Sequence, residues 1–215
     1  MKKSSPLKQY EGGGISVLDY GCAFGRSYPY FKELNIDYFG CDIAQSCIDY
    51  TQQQYPSINT KKLLEGNRIP FDDNFFDGIF CYGVFDACDQ SFTLLEMLKK
   101  LKDYGVLLLT GKNYNYFDDD QEALYAEEKA RENQHPNYFT KTSFMLEELQ
   151  KRNFKILETR YFLRRSDGVP NIYTCSQPEK FYTYTILIQK IPDSKIQQFS
   201  NLSDKYSETF LRVNK

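Results

Sequence analysis

The chain has 215 residues, 41% of them hydrophobic, which suits one domain with small additions and one substantial core. Its formal net charge is −2, with acids and bases mixed along the chain, so no basic block offers a footprint for nucleic acid. The longest like-charge run, Asp118-Asp119-Asp120, is too short for an interaction tail. No apolar run approaches the ~20 residues needed to span a membrane. Residues 1–14 are polar and glycine-rich, without the apolar centre of a signal peptide. The six cysteines (Cys22, Cys41, Cys47, Cys81, Cys88 and Cys175) show no CxxC spacing, which argues against a zinc knuckle and for a reduced, cytoplasmic protein. No metal site is expected.

Taken in chain order, apolar runs alternate with helix-like stretches. Residues 15–20 (ISVLDY) read as a first strand, 27–34 as a short helix and 38–43 (YFGCDI) as a second strand. Residues 44–55 read as a helix that stops before Pro56, because proline disfavours helix at the preceding residue. Residues 60–65 predict a third strand, 76–82 (FDGIFCY) a fourth, and 92–101 a helix through Leu94, Leu95, Leu98 and Leu101. Residues 105–110 (GVLLLT) are continuously apolar, as expected for a fifth strand buried on both faces. Such alternation argues for an α/β fold with a parallel sheet flanked by helices, and ligands in such sheets bind beyond the C-terminal strand ends.

Beyond residue 113 the texture changes. Residues 118–133 predict a helix, opened by the capping-box pattern Asp119-x-x-Glu122, and 141–152 predict another. Residues 154–162 and 181–190 are strand-like and are expected to pair at one sheet edge, with a long loop over 164–180 between them. The polar segment 193–215 reads as a loose helix or a disordered tail.

The chemistry is carried by the loop that follows the first strand, Asp19-Tyr20-Gly21-Cys22-Ala23-Phe24-Gly25. Glycine admits positive φ and a close backbone approach to a ligand, and the helix that follows offers free N–H groups. Asp42 ends the second strand, 23 residues after Asp19, where an acid can accept hydrogen bonds from both hydroxyls of a ribose. The simpler reading of Asp42 is a cap on the next helix. A dinucleotide fingerprint requires G-x-G-x-x-G around a pyrophosphate. The sequence G-C-A-F-G lacks that glycine pair, so a nucleoside ligand without a pyrophosphate fits better.

The runs VLDYGCAFG and FGCDIAQSCIDYTQQ resemble the first two motifs of class I S-adenosylmethionine (SAM) dependent methyltransferases. IPFDDNFFDGIFCYGVF resembles their fourth-strand region and LKDYGVLLLTGKN their fifth. The resemblance covers about residues 15–162. It implies a Rossmann-like, mostly parallel seven-stranded sheet with an antiparallel edge strand and a helical insertion after the fifth strand. It implies a methyltransferase domain over residues 1–192, with an insertion at about 113–140 forming the substrate wall. It implies SAM as cofactor: Asp19 toward the methionine amine, Gly21, Cys22, Ala23 and Gly25 as the loop, and Asp42 on the ribose. Ile43 would pack on the adenine, Asn67 would stand near the adenine amino group, and Cys81, Tyr82 and Gly83 would pass beside the methionine. Ala23 departs from the family pattern, which has a glycine there.

For the methyl acceptor the sequence offers His135, the only histidine, as a general base of suitable pKa or as a surface residue of a loop. Asp118 to Asp120 read as a substrate or metal group or as a solvated helix start, and Arg164 and Arg165 as an anion clamp or as surface arginines. The stretches GKNYNYFDDD, AEEKARENQHPNYFT and RYFLRRSDG resemble methyltransferases of surface-polysaccharide biosynthesis, which implies a sugar, free or nucleotide-linked, as small-molecule acceptor. Other acceptors (an amine, protein or RNA) and a non-catalytic SAM-binding protein are the alternatives. Against RNA stands the missing basic stripe, and against amino-methylation of nucleic acid or glutamine stands, after the fourth strand, Cys81-Tyr82-Gly83-Val84 in place of an Asn/Asp-Pro-Pro-Tyr/Phe motif.

Overall fold

The computed structural model describes residues 14–205. In chain order its elements are β1 (Ser16–Tyr20), α1 (Tyr28–Glu33), β2 (Asp37–Asp42), α2 (Gln45–Gln54), β3 (Asn59–Lys62), β4 (Phe76–Cys81), α3 (Gln90–Lys100), β5 (Leu101–Lys112), α4 (Gln121–Glu132), β6 (Tyr138–Thr140), α5 (Thr142–Lys151), β7 (Lys155–Phe162), β8 (Thr183–Gln189) and β9 (Ser203–Lys205). Seven strands form one sheet in the order β3-β2-β1-β4-β5-β8-β7, and β6 pairs with β9 apart from it. The neighbours from β3 through β5 run parallel. β8 runs antiparallel to both β5 and β7 and lies one strand in from the edge.

All five residues of β1 are buried, the pattern of a central strand covered on both faces. Leu18, Ile79, Leu107, Leu109, Ile186 and Ile188 from the sheet pack with Leu94, Met97 and Leu98 of α3 and Met145 and Leu149 of α5 in the main core. Strand order reverses between β1 and β4, so the sheet has its topological switch point at their C-terminal ends. That is where an open α/β sheet leaves a crevice for a ligand.

Three local expectations are corrected. The third strand ends at Lys62 rather than at Glu65. After Leu63 donates to the Asp42 carbonyl at 2.9 Å, Gly66 and Asn67 take positive φ (71° and 60°) and turn the chain. The cap of α4 is Asp120, which accepts from the Ala123 N–H at 3.1 Å, whereas Asp119 is drawn to Arg164 at 2.9 Å. The polar stretch after residue 192 docks as far as Lys205: Phe199 and Leu202 are buried, and β9 pairs with β6. Leu202 is held by the Ser91 hydroxyl at 3.1 Å, and its carbonyl accepts from the Lys141 N–H at 2.9 Å. Residues 206–215 lie outside the described residues.

Candidate cofactor site

The loop after β1 is fastened to the end of β2 by its own backbone. The Gly21 and Cys22 N–H groups both donate to the Cys41 carbonyl, at 2.8 and 3.0 Å, and the Ala23 N–H donates to Asp42 Oδ2 at 2.9 Å. Asp42 Oδ1 accepts from the Ala44 N–H at 2.9 Å, so this carboxylate both ties the loop and opens α2. From α2, the Thr51 hydroxyl reaches the Ala23 carbonyl at 3.0 Å.

Three of the loop residues have left-handed backbones: Gly21 (φ 74°), Ala23 (φ 44°) and Gly25 (φ 70°). A Cβ on Gly21 would stand 2.5 Å from a Val84 methyl, and one on Gly25 would stand 2.7 Å from Thr51 Cγ2, so glycine is needed at both for space as well as for φ. Ala23 takes this left-handed conformation with a side chain and carries the strain that glycine would not.

Asp19 is the penultimate residue of β1, in the sheet interior and 4% exposed. Burial pushes its carboxyl up to about 6, against the hydrogen bonds from Tyr38 and Ser27 that favour the ionised form. The Tyr38 hydroxyl on β2 donates to Asp19 Oδ2 at 2.8 Å, a contact not foreseen from the sequence. Tyr38 packs with Cys22 and Ile48 in a small cluster behind the loop. Burial also raises the thiols of Cys22, Cys41 and Cys81, which keeps them protonated and inert.

Beside the loop lies a cleft of about 520 Å³ lined by Asp19, Gly21, Cys22, Ala23, Tyr30 and Tyr82, among others. It thus brings together five of the anticipated residues. Gly25 and Cys81 are buried behind this surface, while Ile43 is 63% exposed just past Asp42. Asn67 is exposed on the turn Glu65–Asn67, and Gly83 donates to Thr110 Oγ1 at 2.8 Å.

His135 stands elsewhere: it is exposed and lines a groove with Glu122, Tyr125, Lys129 and Arg165 on α4 and its surroundings. Asp118 pairs with Lys180 at 3.4 Å, and Asp120 also accepts from the Arg165 backbone N–H at 2.8 Å, so the acidic run serves the fold around α4. Sequence reading also missed a buried charged group across the ends of β4 and β5. Lys112 lies 2.9 Å from both Asp86 Oδ2 and Glu127 Oε1, and Glu127 also accepts from Tyr182 and Asn137. Burial pushes the Lys112 ammonium down, but the two carboxylates outweigh it and hold it above the ordinary lysine value. Among the described residues no three His, Cys, Asp or Glu side chains are arranged to hold a metal, and no helix is long and apolar enough to cross a membrane.

This fold and loop define a class, and comparison with known proteins agrees. Residues 18–109 match the methyltransferase domain family, a match that supports SAM as cofactor. An uncharacterized protein of Methanocaldococcus jannaschii is 31% identical over 108 residues, 50% of this chain and 45% of that protein, so the match spans under half of the relative's length. A SAM-dependent methyltransferase from Mesorhizobium loti superposes with a TM-score of 0.58 at 12% identity, over 85% of this chain and 94% of its own. The cyclase SpnF superposes with a TM-score of 0.57 at 15% identity, over 84% and 77%. At these identities the two structures establish the fold alone.

Proposed function

We propose that the protein transfers a methyl group from SAM to a small-molecule acceptor, a hydroxyl of a sugar or other glycan precursor, free or nucleotide-linked. The observation that carries the donor half is the pair of acids framing the glycine loop at the switch point: Asp19 buried beneath it and Asp42 bonded to its Ala23 N–H. The acceptor half rests on the resemblance of residues 111–168 to polysaccharide-pathway enzymes. SAM brings a methyl carbon already activated on a sulfonium. The chain's task is to bind, align and exclude water.

In this reading Asp19 accepts from the methionine amine, and Gly21, Cys22, Ala23 and Gly25 let the backbone come close. Asp42 uses its remaining lone pairs for the ribose hydroxyls, Ile43 offers its bare apolar face to the adenine, and Asn67 serves the adenine amino group. Cys81, Tyr82 and Gly83 flank the methionine. The methyltransferase unit takes in residues 1–192, residues 113–140 form the acceptor wall, and His135 is a candidate base on that wall. Six free thiols suit a reduced cytoplasmic enzyme.

The test is calorimetric titration of SAM, followed by transfer from methyl-labelled SAM to a panel of hexoses and nucleotide-linked hexoses. Asp42→Ala is expected to weaken SAM binding at least about tenfold, as for a lost hydrogen bond to a charged group. Unchanged affinity overturns the cofactor geometry. Near-normal turnover in His135→Asn removes His135 as base. A second reading follows from the shared fold of the cyclase SpnF, because one scaffold hosts several chemistries. Tight SAM binding without transfer to any acceptor favours it.

A further inference from the structure

The charged group at the ends of β4 and β5 has no counterpart in the cofactor reading; its ion pairs and hydrogen bonds offset the cost of burial, and buried charged clusters of this kind gather at functional sites. Glu127 comes from α4 inside the acceptor wall and its side chain is 0% exposed. Its Oε1 takes Lys112 and Tyr182, its Oε2 takes Asn137, and it has no surface left for a ligand. Lys112, the last residue of β5, has three N–H donors and three partners: Asp86, Glu127 and Asn137 Oδ1 at 3.4 Å. Beyond Glu127, Tyr182 accepts from Arg165 Nη1 at 3.0 Å, which closes the far side of the network.

Asp86 differs. Lys112 occupies its Oδ2, and the side chain is 18% exposed, which leaves Oδ1 for a further donor. It sits on the turn Phe85–Ala87 immediately beyond β4, and that turn is fixed by Phe85, which is fully buried. Two residues earlier, Val84 fills the space where a Gly21 side chain would stand. The turn that carries Asp86 is therefore packed against the cofactor loop, while Lys112 and Glu127 tie the same carboxylate to the wall.

We propose that Asp86 is the polar anchor of the methyl-acceptor site, accepting a hydrogen bond from a hydroxyl or ammonium group, with Lys112 and Glu127 as the positioning residues that hold it. The inference rests on the methyltransferase reading above. It adds a class of ligand: a carboxylate accepts and does not donate, so it selects groups bearing N–H or O–H and turns away carboxylate and phosphate at this point.

The test titrates the SAM-bound protein with four probes: a neutral hexose, a nucleotide-linked hexose, a primary alkylamine and an alkyl carboxylate, read by calorimetry. Binding of a hexose or of the amine is expected, and which of them binds separates the hydroxyl from the ammonium. Asp86→Asn and Asp86→Ala are expected to weaken that probe about ten- to a hundredfold, the loss of one hydrogen bond to a charged group, with SAM affinity unchanged as the control for the fold. Lys112→Met is expected to lose the probe as Asp86→Asn does, and Lys112→Arg, which keeps the cation, to retain it. Equal binding by both Asp86 variants, preference for the carboxylate, or no probe bound by the SAM-loaded protein overturns the inference. A wild-type protein that binds no SAM fails the underlying reading instead.

Discussion

Replacing Asp19 with asparagine tests the link between burial and cofactor binding most sharply. In the folded protein the Asp19 carboxyl is pushed up from the ordinary 3.8 to about 6. At about 1.4 kcal/mol per pKa unit, keeping it ionised costs the cofactor-free protein roughly 3 kcal/mol at neutral pH. The sign follows from the proton balance. Between 3.8 and about 6 the folded chain binds more protons than the unfolded one, so this contribution is fully favourable below 3.8 and is lost as pH rises through about 6. Asparagine carries no charge to desolvate. Its carbonyl can accept the Tyr38 hydroxyl, and its amide can donate to Ser27.

Asp19→Asn is therefore expected to be more stable than the wild type at pH 7.5, by up to roughly 3 kcal/mol, with the difference vanishing near pH 4. The same variant is expected to bind SAM at least about tenfold more weakly, since in the proposed site the methionine amine would lose its carboxylate. Urea unfolding at several pH values and calorimetry with SAM read the two quantities. A stability difference that does not change with pH, or a less stable variant, refutes the reasoning.

Three further substitutions probe the loop. Tyr38→Phe removes the hydroxyl that favours ionised Asp19, so SAM affinity at neutral pH is expected to fall about tenfold in calorimetry, with more of the loss recovered at higher pH. Ala23→Gly exchanges left-handed strain of about 1–2 kcal/mol for an unfolded-state entropy cost of about 0.4–1 kcal/mol, and is expected to raise stability by roughly 0.5–1 kcal/mol in urea unfolding. Gly21→Ala meets both a positive φ and the Val84 methyls, and is expected to cost more than about 2 kcal/mol and to abolish measurable SAM binding.

The central sheet was legible because its strands are short apolar runs separated by helical spacing. Residues 15–20 and 76–82 each hold an observed strand, 38–43 overlaps all of β2 but its first residue, and the pairing of residues 154–162 with 181–190 is that of β7 with β8. The fifth strand is longer than its apolar centre, because its ends, Leu101 and Lys112, pair with β4 and β8 beyond the GVLLLT run. β6 and β9 were not legible: each is three residues long, and they find each other across more than 60 positions. The Asp19–Tyr38 bond was hidden for a similar reason, since Tyr38 reads as an ordinary strand aromatic until register sets it beside β1. Lys112, Asp86 and Glu127 carry no local signature. Each is unremarkable in its own segment and becomes a network when β4, β5 and α4 converge.

The docking of β9 on β6 also bears on how the molecule is made. Every element around the glycine loop, from β1 to β5, is synthesised before residue 120. The strand that pairs with β6 belongs to residues 203–205, the last described to be synthesised. The emerging chain thus makes the parallel half of its sheet early and the β6–β9 pair late. A chain stopped before Phe199 would leave the β6 edge unpaired and the core contacts of Phe199 and Leu202 unmade. Such a product carries an unpaired strand and an exposed apolar surface, the two features that make incompletely folded chains prone to aggregate.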